Sequence, residues 1–273
     1  MSLLSVSDLS ILLKSGEGQP IVDRISFALE PGQRLGLIGE SGSGKSLTTL
    51  AVTGLLPPGL RATGSVLLDG TQVIGARDRT LDRVRGHAAA VVFQEPSTAL
   101  DPLMRLGKQI AEPLRRHRGL RGAALRSAVA AALDEVALPT RVAGAYPHEV
   151  SGGQRQRAAI AMALACRPKL LIADEPTTAL DVTVQAEVLA LLDRLAAAHD
   201  MALLFVSHDL AVIGKVTDEV LVLSQGRAVR TGPLAEVLSN PGDDYTRSLV
   251  ASARRLDAAL DLTPEVSDDS RGA

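Results

Sequence analysis

Residues Gly39–Ser46 read GESGSGKS and match the pattern G-x-x-x-x-G-K-[ST]. That spacing serves phosphate chemistry. Glycines let successive backbone N–H groups curl around an anion, and a helix starting directly after the loop adds positive potential. In this arrangement Gly39, Glu40, Ser41, Gly42, Ser43 and Gly44 form the cradle, Lys45 reaches the β- and γ-phosphates, and the Ser46 hydroxyl ligates Mg²⁺. A second cluster is LLIADEP, an apolar run ending in Asp174 and Glu175. Taken alone, such a run is often a strand entering a solvated turn. Beside a phosphate loop, Asp174 falls on the magnesium side and Glu175 projects toward the γ-phosphate, where it orients and polarises an attacking water.

Gln94 ends the run AVVFQ, and His208 ends LLFVSH. Either one alone reads as an ordinary hydrogen-bonding residue. Ligands of open α/β sheets bind outside the carboxyl ends of the strands, so the phosphate loop, the two carboxylates, Gln94 and His208 are expected to meet in one crevice. The stretch VSGGQRQRAAIAMA is different. Here Ser151, Gly152, Gly153 and Gln154 open an alanine-rich helical run and offer another N–H-rich anion site. One chain thus carries two phosphate-facing helix starts, far apart in sequence.

The hydrophobic pattern supplies the elements that position these groups. RLGLIG reads as a buried strand feeding the glycine loop, and KSLTTLAVTGLL as the helix after it. AAAVVFQ, LLIAD and ALLFVS read as further buried strands, and EVLVLSQGRAVRTG as a hairpin turning at Gln225-Gly226. Short apolar strands with turns fill the region from Leu3 to Leu68. From Pro96 to Ala165 the pattern is helical, with Leu125, Val129, Leu133 and Val136 on one face. TVQAEVLALLDRLAAA is helical again. The alternation predicts an α/β fold: a mainly parallel sheet core, antiparallel N-terminal strands, and an inserted helical subdomain at about 95–165. After Leu256 the sequence turns acidic and polar, and 257–273 is expected to be a disordered tail.

Composition narrows the function classes. The chain has 273 residues, 46% of them hydrophobic, which suits a sizeable core and excludes global disorder. Aromatics are 2% with no Trp, so that core is aliphatic. A net charge of −2 argues against nucleic-acid binding through a broad basic face. The single cysteine, Cys166, excludes an internal disulfide and fits a reducing cytosol. No apolar run approaches the roughly 20 residues of a spanning helix, and MSLLSVSDLS lacks the basic start of a signal peptide.

In this order and spacing, GESGSGKS, Gln94, SGGQRQR, LLIADEP, TALD (Thr178–Asp181) and SHD (Ser207–Asp209) resemble the nucleotide-binding subunit of an ATP-binding cassette (ABC) transporter. The resemblance covers residues 3–250. VVFQEPSTALDP, YPHEVSGGQRQRAAIAMALACRPKLLIADEPTTALDVTVQ and YTRSL are similar to the importer group for peptides and nickel. It implies an ATPase using ATP and Mg²⁺, with Ser46, Gln94 and Asp174 serving the metal, Glu175 as general base, and His208 holding the γ-phosphate and the water. It further implies that two such domains pack head to tail around two ATPs. Ser151, Gly152, Gly153 and Gln154 then face the partner's ATP, which answers why one chain owns two helix starts.

The partners implied are a second ABC ATPase subunit (a different homologous chain or an identical one), two membrane permease subunits and an extracytoplasmic substrate-binding protein, with no nucleic acid. The place implied is the cytoplasmic face of the cell membrane. A soluble ABC ATPase of DNA repair or translation is the alternative. It is disfavoured because the interval from loop to SGGQ holds no long coiled coil and the chain has a single cassette. Two departures from the family pattern stand out. Where the family stacks adenine on an aromatic near the end of the first strand, the pattern here puts Leu13. With Cys166 alone, the iron–sulfur cluster of some peptide-importer ATPases has no ligand set.

Overall fold

The computed structural model describes residues 2–16, 18–94, 99–178 and 180–261. Ten strands divide into two sheets among these residues. β1 (Leu4–Leu13), β2 (Val22–Leu29), β4 (Leu60–Leu68) and β5 (Thr71–Gln72) form an antiparallel sheet in the order β2-β1-β4-β5. β3 (Arg34–Ile38), β6 (Ala89–Val92), β7 (Leu170–Asp174), β8 (Ala202–Ser207), β9 (Glu219–Ser224) and β10 (Arg227–Pro233) form the other, in the order β10-β9-β3-β8-β7-β6. All neighbours in this sheet are parallel except β9 and β10. Their hairpin turns at Gln225 (φ 47°) and Gly226 (φ 78°), the paired positive angles of a tight two-residue turn.

Every residue of β7 and β8 is buried, the mark of a sheet covered on both faces. Their side chains still alternate. Leu171, Ala173, Leu203 and Phe205 enter one core with the helices, while Leu170, Ile172, Leu204 and Val206 enter a second core under the antiparallel sheet. Helix α1 (Lys45–Val52) lies in that second core through Ala51 and Val52, and α2 (Asp78–Val84) adds Leu81 and Val84.

The inserted helices are α3 (Leu106–Arg118), α4 (Gly122–Glu135) and α5 (Gly152–Leu164), with 3₁₀ turns at Thr140–Gly144 and Pro147–Glu149. On α4 Val129 and Leu133 are buried, Val136 just beyond it is buried too, and Leu125 is half-buried, so the predicted face is the packed one. Buried Gln109 ties the preceding loop to α3: its amide oxygen accepts the Asp101 N–H at 2.8 Å, and its nitrogen donates to the carbonyls of Asp101 (2.9 Å) and Met104 (2.7 Å). The remaining helices are α6 (Val182–Ala198), capped by Asp181, then α7 (Leu210–Ile213), α8 (Leu234–Ser239) and α9 (Asp244–Asp261). Helix α9 runs five residues into the segment expected to be a disordered tail, because the YTRSL turn propagates as one amphipathic helix; residues 262–273 of that expectation lie outside the described residues.

Candidate functional site

Four adjacent parallel strands, in the spatial order β3-β8-β7-β6, deliver the predicted residues to one end of the sheet. β3 runs into the glycine loop, β8 into His208, β7 into Asp174 and Glu175, and β6 toward Gln94. They border a cavity of about 950 Å³ whose lining includes Lys45, Ser46, Gln94, Glu175 and His208. The loop has little freedom in sequence. A Cβ on Gly39 would lie 2.3 Å from the Leu223 carbonyl oxygen, and Gly44 has φ 98° with Val22 Cγ2 2.6 Å from its would-be Cβ.

Lys45 is 4% exposed and folds back on its own loop. Its ammonium donates to the carbonyls of Gly39 (2.7 Å) and Glu40 (3.0 Å) and lies 3.8 Å from Glu175 Oε1. Burial lowers its pKa, opposed by the charges of Glu175, Asp174 and Glu40. Asp174, at 6% exposure, accepts the Ser46 hydroxyl on Oδ1 and the Thr49 hydroxyl on Oδ2, each at 3.2 Å. Burial raises its pKa in spite of those two bonds. The hydroxyl–carboxylate pair of Ser46 and Asp174 is an all-oxygen donor set, which fits Mg²⁺ with waters and phosphate oxygens completing its shell.

Glu175 takes a left-handed backbone (φ 48°), rare for a residue with a side chain, and its N–H is held by the Val206 carbonyl at 3.0 Å. That turn breaks the strand alternation and puts its carboxylate in the cavity beside Asp174's strand end. Oε2 accepts the Thr178 hydroxyl at 3.1 Å and faces His208 Nδ1 at 3.4 Å. His208 is half-exposed, and the chain after it is fixed by Asp209, whose Oδ1 accepts the Ala211 N–H at the start of α7. One carboxylate thus stands between a buried ammonium and an accessible imidazole. The group suits water activation next to a polyanion.

Ser151, Gly152, Gly153 and Gln154 do not line this cavity. They start α5 as a capping box: the Ser151 hydroxyl accepts the Gln154 N–H (3.3 Å), and the Gln154 side-chain oxygen accepts the Ser151 N–H (3.1 Å). Arg155 braces the approach by donating to the Val150 carbonyl (3.1 Å). Leu13 is 48% exposed and is not in the lining, whereas Ile21 is. Two features escape sequence reasoning. Thr49 grips Asp174, and its only signal is a hydroxyl one turn beyond Lys45. Helix α9 walls the cavity with Tyr245, Ser248, Leu249 and Ser252, and nothing local in YTRSL points to the loop.

Residues 22–178 match the family described as ABC transporter. The chain is 47% identical over 255 residues to the peptidoglycan transport ATP-binding protein YejF of Agrobacterium fabrum, covering 92% of this chain and 47% of the relative. It therefore spans about half the length of that relative. It is 42% identical over 259 residues to the oligopeptide transport ATP-binding protein OppD of Salmonella typhimurium, covering 94% of this chain and 77% of the relative. Among solved structures, a dimeric post-hydrolysis state of the ATP-binding cassette MJ0796, bound to ADP and Pi, superposes with a TM-score of 0.75 at 27% identity, covering 85% of this chain and 98% of that one.

Proposed function

The chain belongs to the ABC transporter family, and on that premise we propose that it is the ATP-binding and ATP-hydrolysing subunit of an importer for short peptides. The observation that carries the chemistry is the meeting of Lys45, Asp174, Glu175 and His208 at the sheet end, around one cavity. The relatives named for oligopeptide and peptidoglycan transport support peptides over nickel or another small solute.

Lys45 turns its ammonium from the loop carbonyls to the β- and γ-phosphates, and the loop N–H groups bind the same oxygens. Ser46 and Asp174, with Gln94 alongside, would hold Mg²⁺, which would supply charge neutralisation for the phosphates. Thr49 keeps Asp174 oriented for that task. Glu175 Oε2 takes the proton from the attacking water, and His208 holds the water and the γ-phosphate. The cavity has no residue of Ser151–Gln154 in its lining, which supports a site completed by the N-terminus of α5 of a second cassette. The dimeric cassette among the structural neighbours is in line with this reading.

Further partners proposed are two permease subunits and an extracytoplasmic binding protein, with the chain at the cytoplasmic face of the membrane. No described helix is long and apolar enough to cross a membrane itself. The test is reconstitution with the permeases and binding protein in liposomes. Peptide uptake that depends on ATP and disappears in Lys45→Ala is expected. Uptake insensitive to that change, or ATP turnover that peptide-loaded binding protein never stimulates, overturns the reading.

A further inference from the structure

Helix α9 forms a wall of the cavity that the chemistry above does not use. Tyr245, Ser248, Leu249 and Ser252 share one helix face at i, i+3, i+4 and i+7, and all line the cavity. The helix start is firmly fixed. The Asp243 carboxylate accepts the Thr246 N–H at 2.9 Å and the Thr246 hydroxyl at 2.6 Å, and Thr246 is fully buried. Burial opposes the charge on Asp243, but its hydrogen bonds with Thr246 prevail and hold its carboxyl below the usual range. The cap is therefore ionised at neutral pH.

From this fixed start the Tyr245 hydroxyl accepts the backbone N–H of Glu40 at 2.7 Å. Glu40 is the second residue of the phosphate loop. Its carbonyl, and that of Gly39, are the two that Lys45 holds at 3.0 and 2.7 Å. The first limb of the loop is thus held by two side chains, Lys45 through carbonyls and Tyr245 through an N–H. Lys45 cannot keep its full grip on those carbonyls while it pairs with phosphates. Once it turns away, Tyr245 is the side chain still bonded to that limb among the described residues.

We propose that Tyr245 is a positioning residue for nucleotide binding: its hydroxyl tethers Glu40 and keeps the phosphate loop in shape while Lys45 transfers to the nucleotide. This rests on the reading that the loop binds ATP. It gives the C-terminal helix a role in the site, through a side-chain hydrogen bond to the phosphate loop.

The test titrates the full chain with MgATP. A net hydrogen bond of ordinary strength corresponds to roughly a two- to tenfold weaker Kd in Tyr245→Phe. In the assembled transporter the same variant should raise KM for ATP by a similar factor and leave kcat at saturating ATP within about twofold. The chain has two tyrosines and no tryptophan, so the emission difference between wild type and Tyr245→Phe isolates Tyr245. That difference should change along the ATP titration with its midpoint at Kd. Tyr245→Leu should weaken binding no less than Phe. Wild-type affinity or tighter binding in Tyr245→Phe overturns the proposal, as does a loss confined to the leucine variant, which would make ring packing the cause. A folded wild type that binds no ATP sinks the ATPase reading instead.

Discussion

Replacing Glu175 by glutamine tests the central chemical assignment. The side chain keeps its length and still accepts the Thr178 hydroxyl, while the left-handed backbone remains anchored to Val206. What is lost is a proton acceptor and a negative charge. A positioned general base contributes about 10²–10⁴-fold, so turnover should fall by that factor, or about 3–5.5 kcal/mol of barrier. Binding should respond in the opposite sense. Glu175 lies 3.8 Å from the Lys45 ammonium, a gross attraction of roughly 4 kcal/mol at an effective dielectric of about 20, much of it offset by desolvating both ions. Glutamine removes this competitor for Lys45 and a repulsive charge facing the γ-phosphate. ATP affinity should therefore stay equal or tighten by up to about tenfold. The assay is single-turnover phosphate release by the assembled transporter, paired with equilibrium ATP binding and size measurement of the ATP-bound dimer. A turnover loss smaller than tenfold removes Glu175 as base, and weaker ATP binding refutes the electrostatic argument.

Lys45→Ala should abolish measurable MgATP binding, since no other side chain among the described residues of the cavity brings a buried cation to the phosphates; unchanged affinity by calorimetry would contradict this. Ser151→Ala removes the cap of α5 and should cost about 1 kcal/mol of stability, leave ATP binding by the isolated chain intact, and impair ATP-driven dimer closure. Loss of binding by the isolated chain would disprove a role in the opposite site. Gly153→Asp is a poorer probe of the same idea, because its Cβ would lie 2.8 Å from Val184 Cγ1 within the same chain. Asp174→Asn should raise the melting temperature of the metal-free protein at pH 7 while weakening Mg²⁺-dependent ATP binding. Burial raises the pKa of Asp174, so its favourable contribution is complete below the unfolded value near 4 and is lost as pH rises through the folded one. The ionised group is a cost at pH 7, and the gain from asparagine should shrink toward pH 4. A lower melting temperature at pH 7 would refute this.

Sequence by itself determined the features whose physics is local. An aliphatic run followed by glycines and Lys45-Ser46 has few alternatives to strand, loop and helix, and Gly226 marks a tight hairpin turn because glycine takes positive φ at no steric cost. The apolar runs LLIA and ALLFV specified a doubly covered parallel sheet, and parallel strands place their C-termini, with Asp174, Glu175 and His208, at one end. The serine and glycines ahead of an alanine-rich run announced a helix start at Ser151–Gln154 from their residue types alone. The tertiary structure decided what depends on residues far apart in the chain. It made Glu175 rather than its neighbour face Lys45 and His208, through a left-handed turn that no propensity favours. It assigned Thr49 to Asp174, left Leu13 half-exposed outside the lining, and carried α9 through to Asp261. It brought Tyr245 onto Glu40, a pairing invisible to any sequence window, because only the assembled sheet and the capped start of α9 set the distance between them.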